Sequence, residues 1–150
     1  MSTIFDALEI SSSGMSAQRT RMNVASMNMA NKATTRTPDG GPYRRRDVVL
    51  SAASVDGDAS FAGRLRAAFD GEGTSYGVEV AEIAESDDPF ELQYDPGHPD
   101  ADADGYVAYP AVNGVKEMVN MMSAARAYEA GAKMLTTVKT MAEKAMSIGK

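Results

Sequence analysis

The sequence predicts an α+β chain, with long N- and C-terminal helices pairing as an antiparallel coiled coil and a small acidic β-rich module between them. Three observations predict it. Apolar residues recur at steps of three and four across the first thirty and the last thirty-five residues. Short alternating runs set among Gly and Asp fill the interval. Charge divides the same way: residues 1–46 carry seven Lys/Arg against three Asp/Glu, residues 47–111 two against fifteen, and residues 112–150 six against three, within a net charge of −6 over 150 residues. These local balances of +4, −13 and +3 mark three physical units. Residues 1–36 and 112–150 are expected to form one discontinuous coiled-coil domain, and residues 37–111 the middle module.

The first helix rests on Ile4, Leu8, Ser11, Met15, Gln18, Met22, Ala25 and Met29, which step alternately by four and three. Thr3 with Asp6 suits its start, and Pro38-Asp39-Gly40-Gly41 stops it. A helix over residues 3–32 would run roughly 45 Å at ~1.5 Å per residue. Ser11-Ser12-Ser13-Gly14 weakens it locally, so it needs a partner. The last helix, over residues 114–147, supplies one through Met121, Ala124, Tyr128, Gly131, Leu135, Val138, Ala142 and Ala145. Asn113 caps it and Gly149 ends it. Ala127, Met134, Met141 and Ile148 add a flanking row at steps of seven, which makes the apolar face wider than one partner helix covers.

Within the module, Val48-Val49-Leu50, Val78-Glu79-Val80, Phe90-Glu91-Leu92-Gln93-Tyr94 and Tyr106-Val107-Ala108-Tyr109 read as strands, while Phe61, Leu65, Ala68 and Phe69 fit a short amphipathic helix.

Composition narrows the function. With no Cys and a single His, the chain cannot build a thiolate metal site or a Cys nucleophile, and any Ser/His/Asp chemistry would rest on His98 alone. No set of nucleophile, base and orienting group assembles around it, so the chain is not read as an enzyme. An acidic balance excludes a general nucleic-acid binder. No stretch approaches the ~20 apolar residues that a bilayer span requires, and no leader precedes Met1-Ser2-Thr3. No cofactor and no small-molecule substrate are expected.

Asp100-Ala101-Asp102-Ala103-Asp104-Gly105-Tyr106-Val107 has the spacing of the opening of an EF-hand calcium loop. Its closing position, which needs a bidentate Glu, is Ala111, and the preceding Asp95-Pro96-Gly97-His98-Pro99 cannot form the entering helix. A solvated acidic turn is the reading. Gly71-Glu72-Gly73-Thr74-Ser75-Tyr76-Gly77 has its third Gly one place late for a phosphate cradle and is a turn. Arg44-Arg45-Arg46 is followed at once by Asp47 and the acidic stretch, which favours a solvated face or an interchain ion pair over phosphate binding.

Ser11-Ser12-Ser13-Gly14-Met15-Ser16-Ala17-Gln18, Arg21-Met22-Asn23-Val24 and Asn28-Met29-Ala30-Asn31-Lys32-Ala33-Thr34-Thr35 resemble the N-terminal signature of bacterial flagellar axial proteins, the rod and hook family. Thr37-Pro38-Asp39-Gly40-Gly41-Pro42-Tyr43-Arg44, Tyr94-Asp95-Pro96-Gly97-His98-Pro99-Asp100-Ala101, Gly105-Tyr106-Val107 and Glu117-Met118-Val119-Asn120-Met121-Met122 through Arg126-Ala127-Tyr128-Glu129 are similar to its proximal rod members. The similarity spans nearly the whole chain, although residues 54–75 make a longer stretch than the family leads one to expect.

The resemblance implies a structural subunit of the basal-body rod, exported by the flagellar type III apparatus without a cleaved leader and polymerised in the periplasm. Implied partners are further copies of the chain, other rod proteins, the export apparatus, and the ring and hook-side components. Leu8, Met15, Met22 and Met29, with Met121, Tyr128, Leu135 and Val138, are the expected packing contacts between subunits. Asn28 and Asn31 are expected to cap or hydrogen-bond near the end of the first helix. Arg44, Arg45 and Arg46 are expected to meet acidic modules of neighbouring copies. Two other classes remain open at this point: a secreted helical translocator or effector, and a calcium-binding module.

Overall fold

A computed structural model of the chain describes residues 3–54, 76–88 and 90–148. In chain order these form helix α1 (Thr3–Ala30), strands β1 (Arg46–Ser54), β2 (Tyr76–Glu85), β3 (Glu91–Tyr94) and β4 (Tyr106–Tyr109), and helix α2 (Gly114–Ile148). The fold class is α+β, two long helices with two small two-stranded sheets. The short helix expected at Phe61, Leu65, Ala68 and Phe69 and the stop at Gly149 lie outside the described residues.

Both helices form where the periodicity places them, for local reasons. Ser11 and Ser13 return their hydroxyls to the carbonyls of Ala7 and Ile10 at 2.7 and 2.8 Å, so the serine-rich turn satisfies itself inside an unbroken helix. α1 ends at Ala30, where the carbonyl of Met27 accepts both the backbone N–H of Asn31 at 3.0 Å and its side-chain amide at 2.9 Å. The expected stop follows as a turn, closed by Thr37 N–H to the Gly41 carbonyl at 2.8 Å. At the start of α2, Asn113 Oδ1 accepts the N–H groups of Val115 and Lys116 at 3.0 and 3.1 Å, which is the capping its position predicts.

β1 and β2 are longer than their apolar nuclei suggest, at nine and ten residues, because polar cross-strand pairs extend the ladder. Arg46 reaches Glu85 at 3.0 Å and Ser51 reaches Glu79 at 3.0 Å, pairs whose numbers run in opposite directions as antiparallel strands require. β3 and β4 pair antiparallel, with Gln93 opposite Val107 and Tyr94 opposite Tyr106. Val107 is buried, whereas Leu92 and Tyr94 are exposed and the Tyr94 and Tyr106 rings meet edge-on at 5.4 Å. Gly105 turns the chain into β4 at φ 83°, a conformation that L side chains rarely adopt.

By contacts the chain divides into two compact units, and both long helices contribute to each. The first gathers Met1–Arg19, Leu50–Ala81 and Ala125–Lys150. In it Ala17 is buried, Ser13 Oγ accepts the N–H of Val78 at 3.1 Å, and Gly131 faces Met15 so closely that a Cβ there would lie 2.7 Å from Met15 Cγ. The second comprises Thr20–Val49 and Glu82–Ala124. Its core is Val24, Ala25, Tyr43, Val107 and Ala124, and Gly114 lies against the Met29 sulfur.

These two helical glycines differ from Gly14, which has nothing within 4 Å of a would-be Cβ. Gly14→Ala is therefore expected to stabilise the chain by roughly 0.5–1 kcal/mol, from helix propensity alone. Gly131→Leu is expected to destabilise it by about 1–3 kcal/mol, because Met15 fills the space. Denaturant midpoints of the two variants check both signs.

Candidate functional site

The most enclosed polar chemistry among the described residues lies in the second unit. Its largest fully buried side chains are Glu117, Val107 and Asn28, so two of the three are polar. A buried carboxylate costs several kcal/mol unless it is paired and hydrogen-bonded, which makes its surroundings the informative part of the molecule.

Asn28, in the last turn of α1, uses its whole amide. Its Nδ2 donates to the carbonyl of Arg46 at 2.8 Å and to Glu117 Oε2 at 3.2 Å, while its Oδ1 accepts the Arg46 N–H and the Tyr43 hydroxyl, each at 2.9 Å. The side chain thus grips both backbone groups of Arg46, as a neighbouring strand would. Glu117, in the first turn of α2, accepts Arg45 Nε on Oε1 at 2.7 Å. The Arg45 guanidinium also forks onto the Asp47 carboxylate, with Nη2 to Oδ1 at 2.7 Å. Arg45 is 9% exposed and held by a buried carboxylate on one side and a half-exposed one on the other.

Burial pulls the Arg45 pKa down, and the hydrogen bonds and charges of Glu117 and Asp47 more than compensate, leaving it above its ordinary value and the guanidinium charged. Burial pushes the Tyr43 hydroxyl up, aided by the Glu85 and Glu117 charges against the opposing effect of Arg46. Every buried side-chain nitrogen and oxygen among the described residues has a partner. A polar cavity of about 130 Å³ opens beside the network, between Arg21, Asn28, Arg46, Asp47, Glu117 and Asn120. Such walls suit ordered water better than an apolar side chain.

The network gathers some of the residues singled out from the sequence and leaves others apart. Asn28 and Asn31 both hydrogen-bond near the end of α1, Asn28 as the hub of the network and Asn31 by donating to the Met27 carbonyl while accepting Thr34 Oγ1 at 3.2 Å. Of the three arginines expected to reach neighbouring copies, Arg45 is turned inward, because Glu117 offers it a desolvated partner within its own chain. Arg46 pairs with Glu85, and Arg44 is exposed with its guanidinium 5.1 Å above the Phe90 ring. Leu8, Met15, Met22, Met29, Met121, Leu135 and Val138 are half-buried, and Tyr128 is exposed.

Sequence reading missed Tyr43, Asp47 and Glu117. The available signal was Glu117 itself, a carboxylate that continues the step of four and three through Met121 and Ala124, where an apolar residue would otherwise stand.

The acidic turn is occupied by its own scaffolding. Asp102 Oδ1 accepts the N–H groups of Asp104 and Tyr106 at 3.0 and 2.8 Å, and Asp100 accepts the Thr35 hydroxyl at 2.7 Å with Arg36 at 3.8 Å. Among the described residues no three His, Asp or Glu side chains are grouped to hold a metal ion. His98 Nδ1 accepts the N–H of Asp100 at 3.1 Å, and its ring lies edge-on to Tyr109. No helix among the described residues is long and apolar enough to cross a membrane.

Known proteins resemble the chain from end to end. The family model described as flagellar basal body rod FlgEFG protein, C-terminal, matches residues 103–148. Three relatives, each called flagellar basal-body rod protein FlgC, come from Borreliella burgdorferi, Bacillus subtilis and Salmonella typhimurium. The first is 42% identical over 149 residues, covering 97% of both chains. The second is 42% identical over 153 residues, covering 99% of both. The third is 40% identical over 146 residues, covering 97% of this chain and 98% of its own.

Two outcomes follow for the buried network. Glu117→Ala is expected to cost about 3 kcal/mol, because it strands a buried guanidinium, whereas Asp47→Ala, which removes a solvated partner of the same guanidinium, costs at most about 1 kcal/mol. Urea unfolding of the two variants measures the difference. Because the folded chain holds the Tyr43 proton more tightly than the unfolded chain, that contribution is intact below about pH 10 and is lost as pH rises through the raised value. Tyr43→Phe is expected to shrink the alkaline loss of stability, as followed by thermal melts across that range.

Proposed function

The chain belongs to the FlgC family of flagellar basal-body rod proteins and is a structural subunit of that rod, and we propose that it polymerises through the apolar faces of α1 and α2. The observation that carries this reading is the distribution of burial along α2. From Gly114 to Ala142 seven of the ten residues not exposed to solvent fall on one three-and-four seam: Glu117, Met121, Ala124, Gly131, Leu135, Val138 and Ala142. The flanking row stays open, with Met134 and Met141 at 57% and 64% exposure, and a second row of Val115, Met118, Val119 and Met122 is at least half exposed. Soluble monomers rarely leave so continuous an apolar stripe uncovered unless something covers it in use.

The seam itself pairs α1 with α2 as an antiparallel coiled coil. Met15 meets Gly131 in the first unit, while Asn28 meets Glu117 and Met29 meets Gly114 in the second, so rising numbers on one helix face falling numbers on the other. Residues 1–36 and 112–150 make the helical domain of this arrangement, and residues 37–111 the acidic module outside it. Assembly partners are other rod components and further copies of the chain, placed in the proximal rod, where a stiff stack of helices transmits motor torque. Export by the flagellar type III apparatus, without a cleaved leader, and contacts with ring and hook-side components belong to the same reading. Absence of Cys suits threading and residence in an oxidising compartment, since no disulfide can form within or between copies. Leu8, Met22, Leu135 and Val138 contribute to the seam and its margins, and Tyr128 to the open face.

A deletion strain complemented with variants tests the reading. Met134→Lys with Met141→Lys is expected to leave the purified chain folded but to abolish swimming and rod density in basal bodies by electron microscopy. Arg44→Glu is expected to weaken assembly more at low than at high salt, as an exposed charge contact does. Normal swimming of the double lysine strain overturns the proposal.

A further inference from the structure

The apolar seam of the second unit cannot choose its own alignment. Met22 and Met29 repeat the same residue seven positions apart along α1; Met29 lies against Gly114 of α2, and Met121 follows Gly114 one heptad on. Sliding one helix past the other by one heptad replaces Met29 against Gly114 by Met22 against Gly114, or by Met29 against Met121. Small residues and pliable thioethers absorb such an exchange at little cost.

The polar residues do not repeat. Asn28, beside the seam of α1, and Glu117, on that of α2, occur once each and are the only polar side chains among the largest fully buried ones of the described residues. Asn28 is tied to Arg46 through both backbone groups of that residue, which fixes the segment 43–47 to α1. Arg45 on that segment then projects to a single point along α2, where Glu117 receives it at 2.7 Å. A slip of one heptad removes Glu117 from Arg45 and from Asn28 together. In one direction Ala124 takes its place. In the other Glu117 reaches the level of Arg21, and Arg45 and Asn28 lose it all the same.

We infer that the Asn28–Arg45–Glu117 network is a register key: it selects one alignment of α1 and α2 out of several that the apolar seam accepts nearly equally. A buried polar set is weak as a source of net stability, because apolar residues of similar volume fill the same space without paying desolvation. Its effect is discrimination, since every slipped alignment takes Glu117 from the buried guanidinium and leaves it only the half-exposed carboxylate of Asp47. The key thereby decides which apolar rows remain outside. It stands on the geometry of the second unit and not on the rod reading.

The chain has no cysteine, so introduced pairs are its only thiols and a short bis-maleimide reports alignment directly. Met29→Cys with Gly114→Cys marks the alignment of the structure. Met22→Cys with Gly114→Cys, and Met29→Cys with Met121→Cys, mark the slips of one heptad. In the otherwise unaltered full-length chain, cross-linking is expected for the first pair, with only background for the other two. Combining Asn28→Leu, Arg45→Met and Glu117→Leu is expected to keep helix content by circular dichroism and to raise cross-linking of a slipped pair about tenfold, equivalent to 1.4 kcal/mol of lost discrimination. A folded triple variant that still joins only the first pair overturns the inference. Should the triple variant lose its helix content, Glu117→Gln, which keeps shape and removes the charge, replaces it: raised slipped cross-linking supports the key, and background cross-linking overturns it. A slipped pair joined as readily in the unaltered chain also overturns it.

Discussion

A guanidinium nine-tenths removed from water must be met by a carboxylate placed to suit it, and Glu117 meets Arg45 at 2.7 Å from the first turn of α2. Most of the second unit follows from that contact. It draws the segment before β1 against both helices, and Asn28 completes the hold by taking the N–H and C=O of Arg46. Around it the packing is thin: alanines, two valines, a tyrosine and half-buried methionines. In a core with so little bulky apolar surface, directional polar contacts carry the uniqueness that close packing supplies elsewhere.

Much of this was legible in the sequence, and what was hidden had a physical reason for being so. The helices announce themselves by period, and the fold at least half-covers most of the α2 seam, Met121, Ala124, Gly131, Leu135, Val138 and Ala142, while Tyr128 and Ala145 on the same spacing stay exposed. Asn113 and the turn at Gly40-Gly41 were readable since capping and turn chemistry are local. Strand lengths were not, as Ser51 with Glu79 and Arg46 with Glu85 extend β1 and β2 through cross-strand partners that no single stretch reveals. The buried network was hidden for the same reason: Asn28 and Glu117 are 89 positions apart, and a polar residue on an apolar seam reads as an imperfection until its partner is known. Arg45 shows the converse error. A run of three arginines looks like surface, and only the fold distinguishes the one that turns in from its neighbours.

The exposed rows of α2 connect this architecture to a rod. A subunit that stacks must expose apolar surface in a definite direction while remaining soluble before assembly, and its interfaces must not close on themselves as in a symmetric dimer. Ordered packing near Asn28 and Glu117, with exposed apolar rows along α2, satisfies both demands. None of the described side chains of α2 beyond Ala124 is fully buried, and on the proposed assembly neighbouring copies would complete its order as they cover it.

Amide hydrogen exchange of the dilute chain and of assembled rods tests this most directly. The account predicts that amides around residues 24–30 and 115–124 are protected in both states, while those of residues 130–148 exchange quickly in the dilute chain and become protected on assembly. Equal, strong protection of residues 130–148 in the dilute chain would contradict it, because the helix would then need no sibling to order it.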